Sequence, residues 1–230
     1  MFKACKDGDL LKLIQASNGD PSKYNTIDKR NGHTPLIASV TNNHTELVTY
    51  LLSQNVDINV ADYSGMTALM YAISEGRQYF VDQILDYKPI LEISISGSAL
   101  ILAISLHQNI SVISLIRLGA NVNHKGLLDD TPLMNAVASC NDEAVKILIH
   151  NDAEINDKNW FHRTALDKLD DQGYEADFII QECIIGEYRR YFMKIKGILK
   201  YLGLENVYCV TRMVTEEGVK DEILMNTVYE

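Results

Sequence analysis

The chain has no apolar run that approaches the length of a membrane span, no cysteine pattern that staples a fold, and no surplus of basic charge. Each absence excludes something. Without a long apolar run no membrane segment is expected. Cys5, Cys140, Cys183 and Cys209 are scattered and share no short-range pairing, which argues against a disulfide framework and leaves reduced thiols as the expectation. The 21 Lys and Arg against 31 Asp and Glu leave a net charge of −10, so nucleic acid is a poor partner. Lys3, Lys6 and Asp7 put charge at the start, so no secretory leader and a cytoplasmic location are expected. Asn43-His44-Thr45 and Asn109-Ile110-Ser111 fit the glycosylation pattern but read as starts of helices.

Catalytic signatures are equally scarce. There is no Gly-rich phosphate loop, no His-Glu-x-x-His, no paired-Cys zinc spacing and no nucleophile elbow. The six His residues are dispersed, His33 before a helix start and His107 between helices. Asp129-Asp130 and Asp170-Asp171 are adjacent in sequence, where side chains point apart. Apolar flanks make Cys183 and Cys209 inert thiols rather than nucleophiles. No enzyme, cofactor or metal site is expected.

What the sequence does contain is a triplet of Thr or Ser, Pro or Ala, and Leu. It stands at Thr34-Pro35-Leu36, Thr67-Ala68-Leu69, Ser98-Ala99-Leu100, Thr131-Pro132-Leu133 and Thr164-Ala165-Leu166, at steps of 33, 31, 33 and 33 residues. Such a period denotes stacked units. A hydroxyl for the free amides of a helix N-terminus, a residue suited to the first turn and a buried Leu make each copy a helix start. Seventeen residues on, Leu51-Leu52, Ile84-Leu85, Leu115-Ile116 and Leu148-Ile149 end a second helix. Asn55, Gly119 and Asp152 then suit a left-handed stop. Short alternating pieces bearing Asn59, Asn123 and Asn156 lead to the next unit. One helix pair cannot bury its apolar face alone, so neighbours must supply the stability.

With period, triplet, apolar pair and Asn-bearing finger all in register, residues 1–185 resemble ankyrin repeats. The resemblance implies a mainly α-helical solenoid of antiparallel helix pairs with short β-hairpin fingers and a concave face that binds proteins, not an enzyme. The units are a cap at 1–28, repeats at 29–61, 62–92, 93–125 and 126–158, and a cap at 159–185. The family often has His after the Leu of the triplet, linking repeats through hydrogen bonds. Here that place holds Ile37, Met70, Ile101, Met134 and Asp167, so apolar packing is expected instead of a polar network between repeats. Lys88 before Pro89 predicts a shorter or bent finger from Lys88 to Gly97 and a local break in curvature. Ser17 to Asp28, with Asn18-Gly19-Asp20-Pro21, reads as a surface loop.

The last segment, 186–230, does not repeat. Apolar spacing predicts a capping helix from about 187 to 202 with a basic outer face. Beyond it, strands around Glu216-Glu217-Gly218 or a helix from Glu217 to Met225 both fit. Counting back from each triplet locates the finger tips, where solvent-facing groups belong. Instead, Tyr63, Ile95, Leu127, Leu128, Trp160 and Phe161 stand there. With Met66 beside them and Ser74, Glu75 and Leu106 as a floor, they form the expected partner-binding surface. The leading expectation is a monomeric adaptor or blocking module for another protein. The tail Glu216 to Glu222, followed by Val228-Tyr229, is also similar to acid-rich export signals of effectors from intracellular bacteria. A third reading, an enzyme with its site in 186–230, meets a segment that has no His.

Overall fold

Five hydroxyls start five helices as the triplet dictates. In the computed structural model, which describes residues 1–93, 98–171, 209–215 and 218–224, the Thr34 hydroxyl accepts from the Ile37 amide (3.2 Å), Thr67 from Met70 (3.3 Å), Ser98 from Ile101 (3.3 Å), Thr131 from Met134 (3.2 Å) and Thr164 from Asp167 (3.2 Å). The helices are α1 (Phe2–Asp7), α2 (Leu10–Ser17), α3 (Pro35–Thr41), α4 (Thr45–Ser53), α5 (Ala68–Ser74), α6 (Gln78–Leu85), α7 (Ala99–Ser105), α8 (Asn109–Arg117), α9 (Pro132–Ala138), α10 (Asp142–His150) and α11 (Ala165–Asp171). The first helices α1, α3, α5, α7, α9 and α11 pack in sequence as one layer, and the second helices α4, α6, α8 and α10 pack as another. Between the layers lies a continuous core that includes Leu36, Leu51, Leu69, Phe80, Ile84, Leu100, Leu115, Leu133 and Leu148.

Each repeat turns twice through left-handed backbone. Asn55, Lys88, Gly119 and Asp152 end the second helices at φ 54°, 53°, 90° and 62°, so Lys88 fills the same slot as its counterparts although a proline follows it. Asn43, Gly76, His107 and Cys140 turn the chain between the two helices at φ 60°, 64°, 56° and 53°. Residues 94–97, where a shortened finger is expected, lie outside the described residues; α5 and α7 on either side still pack together.

Two expectations are corrected. Residues 17–28 are not merely a surface loop: Pro21–Asn25 forms a 3-10 turn that buries Tyr24. The Tyr24 hydroxyl donates to Ser17 Oγ (3.0 Å) and lies 3.1 Å from the Tyr50 hydroxyl, which ties the N-terminal cap to the first full repeat. Nor is the polar network between repeats lost. Ile37, Met70, Ile101 and Met134 are indeed buried, but the network sits where the second helix begins. The His44 ring meets the Lys6 carbonyl (2.8 Å), Arg77 donates to the Val40 carbonyl, and Asn141 donates to the Ile104 carbonyl (3.0 Å).

A second polar ladder runs along the fingers. The Asn25, Asn59, Glu92 and Asn123 side chains accept from the amides of Asp57 (2.9 Å), Ile90 (2.8 Å), Asn121 (3.1 Å) and Glu154 (2.8 Å) in the following repeat. The finger Asn therefore couples neighbours. Separately, β1 (Cys209–Thr215) and β2 (Gly218–Leu224) pair antiparallel with Thr215 opposite Gly218. The expected capping helix at 187–202 and the end of the cap at 159–185 lie outside the described residues.

Candidate finger-tip interface

Among the described residues the fingers are closed at their bases by backbone bonds of tight loops rather than by strands. Asp62, Gly126 and Asn159 donate their amides to the carbonyls of Met66 (3.0 Å), Asp130 (2.9 Å) and Arg163 (3.0 Å), and in the longer first finger Asp28 donates to His33 (2.9 Å). In three fingers the residue that opens the loop also accepts amides with its side chain, Asp28 Oδ1 taking that of Arg30 (3.1 Å). Asp62 Oδ1 accepts from the amides of Ser64 and Met66 (both 2.9 Å), and Asn159 Oδ1 from those of Phe161 and Arg163 (both 3.0 Å). The polar groups of the loop turn inward. Tyr63 after Asp62, and Trp160 and Phe161 after Asn159, are then left exposed, whereas the Ser64 hydroxyl donates back to Asp62 Oδ1 (2.6 Å).

That geometry sets the exposure of the tips. Tyr63 is 65% exposed, Leu127 62%, Leu128 47%, Trp160 72% and Phe161 62%, while the first finger carries polar Arg30 and Asn31. Met66 is half-buried against the core and is committed to closing its finger. Ile95 lies outside the described residues. Ser74, Glu75 and Leu106 are exposed but stand at the far ends of α5 and α7, about 10 Å along the helix axis from the fingers. The tip residues and this trio are therefore separate groups.

Leu127, Leu128, Trp160 and Phe161 are brought together by polar ties between two fingers. The Trp160 amide donates to the Leu128 carbonyl (2.9 Å). The Asp130 carboxylate accepts from Asn159 Nδ2 (2.8 Å) and pairs with Lys168 Nζ (2.5 Å). The fourth finger opens with Gly126 and so has no side chain to gather its amides. Its tip instead winds into a 3-10 turn, Leu127–Asp129, in which Leu128 (φ 59°, ψ 24°) and Asp129 (φ 60°) both take left-handed backbone. Leucine is a poor residue for that region, at a cost of about 1–2 kcal/mol.

The second finger is held electrostatically. Tyr71 donates to Asp62 Oδ2 (2.7 Å), and His33 Nε2 of the preceding finger lies 3.3 Å from the same oxygen. Burial pushes the Asp62 carboxyl up, but hydrogen bonds from Ser64, Met66 and Tyr71 outweigh it and hold the group below its ordinary value of 3.8. A depressed folded value means stability that is present above the unfolded value and is lost as pH falls through the folded one. Asp62→Asn is expected to flatten the acid limb of the melting temperature below about pH 4. An acid limb as steep as in the parent chain overturns this attribution.

Other chemistry is sparse among the described residues. No cluster of three His, Cys, Asp or Glu side chains stands ready for a metal ion, and no helix is long and apolar enough to cross a membrane. Burial pushes the Cys5 thiol up, against a weaker opposing hydrogen bond from Ser39. Cys183 lies outside the described residues.

A family model described as ankyrin repeats in three copies matches residues 1–97 and 88–159. The chain is similar to an E3 ubiquitin-protein ligase of Arabidopsis thaliana (38% identical over 78 residues, 33% of this chain and 15% of that protein). It is also similar to a probable E3 ubiquitin-protein ligase of Oryza sativa subsp. japonica (31% over 90 residues, 38% of this chain and 17% of that protein). An L-asparaginase of Dirofilaria immitis is 26% identical over 165 residues, 71% of this chain and 28% of that protein. The chain thus spans less than a third of the length of these relatives. Capped helix pairs in two layers, joined by tight fingers and matched through residue 159, place the chain in the ankyrin repeat family.

Proposed function

We propose that this chain is a non-catalytic adaptor that recognises a protein partner through the tips of its fourth and fifth fingers. The observation that carries the reading is Leu128, held in left-handed backbone with its side chain half exposed beside Trp160 and Phe161. Strain of this kind is retained where the side chain is needed. The relatives support a binding role in a different way. Proteins named as ubiquitin ligases and as an asparaginase share only a fraction of their length with this chain, so the shared part is not what those unlike names describe.

Leu128→Asn tests the reading because stability and binding are expected to move in opposite directions. Asn tolerates the left-handed region, so the variant gains about 0.5–1 kcal/mol in urea unfolding. Affinity for a partner recovered by pull-down falls, since an apolar anchor is gone. A variant that is more stable and binds equally well overturns the proposal.

A further inference from the structure

A second apolar surface lies on the other helix layer. The outward positions of the second helices are Glu46 and Thr49 in α4, Tyr79 and Asp82 in α6, Ile110 and Ile113 in α8, and Glu143 and Lys146 in α10. The polar pattern fails at α8, where Ile110 is 67% exposed and Ile113 37%. Ile113 and Ile116 of α8 and Ile147 of α10 floor a groove of about 410 Å³ between the two helices. Its edges carry Arg117, Lys146 and His150, against a single carboxylate, Glu143. Lys146 is only loosely tied to Glu143 (3.9 Å), and Arg117 is exposed with no ion pair among the described residues. On a chain of net charge −10 this is a local reversal of sign.

We propose that the groove between α8 and α10 is a docking site for an acidic amphipathic helix of a partner protein. The occupant follows from what the groove offers. Both walls are helices whose backbone is already paired, so no strand can be added to them, and recognition must run through side chains. An apolar floor with no aromatic platform fits anchors at i and i+4 of a helix rather than a proline-rich segment. Helices of nine residues span about 13 Å, the length of two to three turns of the occupant. Its carboxylates face Arg117 and Lys146, Arg117 taking one through two parallel bonds. The layer is distinct from the fingers, so both surfaces can be filled at once and the chain can bridge two partners.

Selection from a displayed library of randomised 14-residue helices, panned on the full chain, tests the site. The expected winners carry apolar residues at i and i+4 with flanking Asp or Glu. Binding of a winning peptide is expected to fall at least tenfold with Ile113→Asp. It should also fall about tenfold with Arg117→Glu, and be recovered when the peptide's acidic residues are replaced by Lys. Both substitutions are on exposed positions, and circular dichroism melts confirm that the stack is intact. Failure to enrich any helix, enrichment of basic sequences, or winners indifferent to Ile113→Asp overturns the proposal. So does a dimer in sedimentation that Ile113→Asp dissociates, since the groove then belongs to a second copy.

Discussion

Replacing Phe80 with Ala is expected to lower the stability of the stack by about 3–5 kcal/mol, read as a shift of the urea midpoint. Phe80 is 2% exposed and heads the fully buried side chains of the core. Its register partners are Leu47 on α4 and the small, buried Ser111 on α8, whose hydroxyl donates to Gln78 Oε1 (2.8 Å). The register position that holds a large residue in one repeat thus holds a small one in the next. Repeat stacks are held by nearest-neighbour interfaces, so the loss weakens the contacts on both sides of the second repeat. Tyr79, next in sequence and 58% exposed, is the control: Tyr79→Ala should stay within about 0.5 kcal/mol of the parent. Equal effects at the two positions would show that α6 does not turn Phe80 to the core and Tyr79 to solvent.

Trp160→Ala is expected to weaken partner binding by more than about 2 kcal/mol, roughly thirtyfold, with stability unchanged to about 0.5 kcal/mol. A Trp that is 72% exposed in the free chain stabilises little there but gives up that whole apolar face to a partner. Asn159→Ala sharpens the test. It removes no apolar tip group, yet it abolishes the oxygen that gathers the Phe161 and Arg163 amides and the donor to Asp130. Affinity should therefore drop through loss of orientation alone. Titration of the partner recovered by pull-down measures both variants, and full affinity in Trp160→Ala would remove the fifth finger from the interface.

Much of this candidate surface was legible from residue types. Because the triplet fixes the register, counting back from it located Tyr63, Leu127, Leu128, Trp160 and Phe161, and all five are exposed. The inward-folded Met66 was less legible, because whether a finger residue faces the core depends on which amides its loop closes. The outer surface at Ile110 and Ile113 was missed. Its signal was present: the same count forward from each triplet finds Glu46, Tyr79 and Glu143 where Ile110 stands, but helix faces are hard to orient before the layers are known.

The sequence by itself determined the repeating unit, its helix starts and its chain reversals, because caps and left-handed stops are local choices made by Thr, Ser, Pro, Gly and Asn. Tertiary structure alone decided which polar atoms meet between repeats. His44, Arg77 and Asn141 share a register position but no chemistry, and each finds a carbonyl of the preceding repeat only once the helices are stacked. The same holds for the turn at Cys140, a residue with no preference for left-handed backbone. Packing of the layers on either side imposes that conformation on Cys140, whereas no residue preference predicts it.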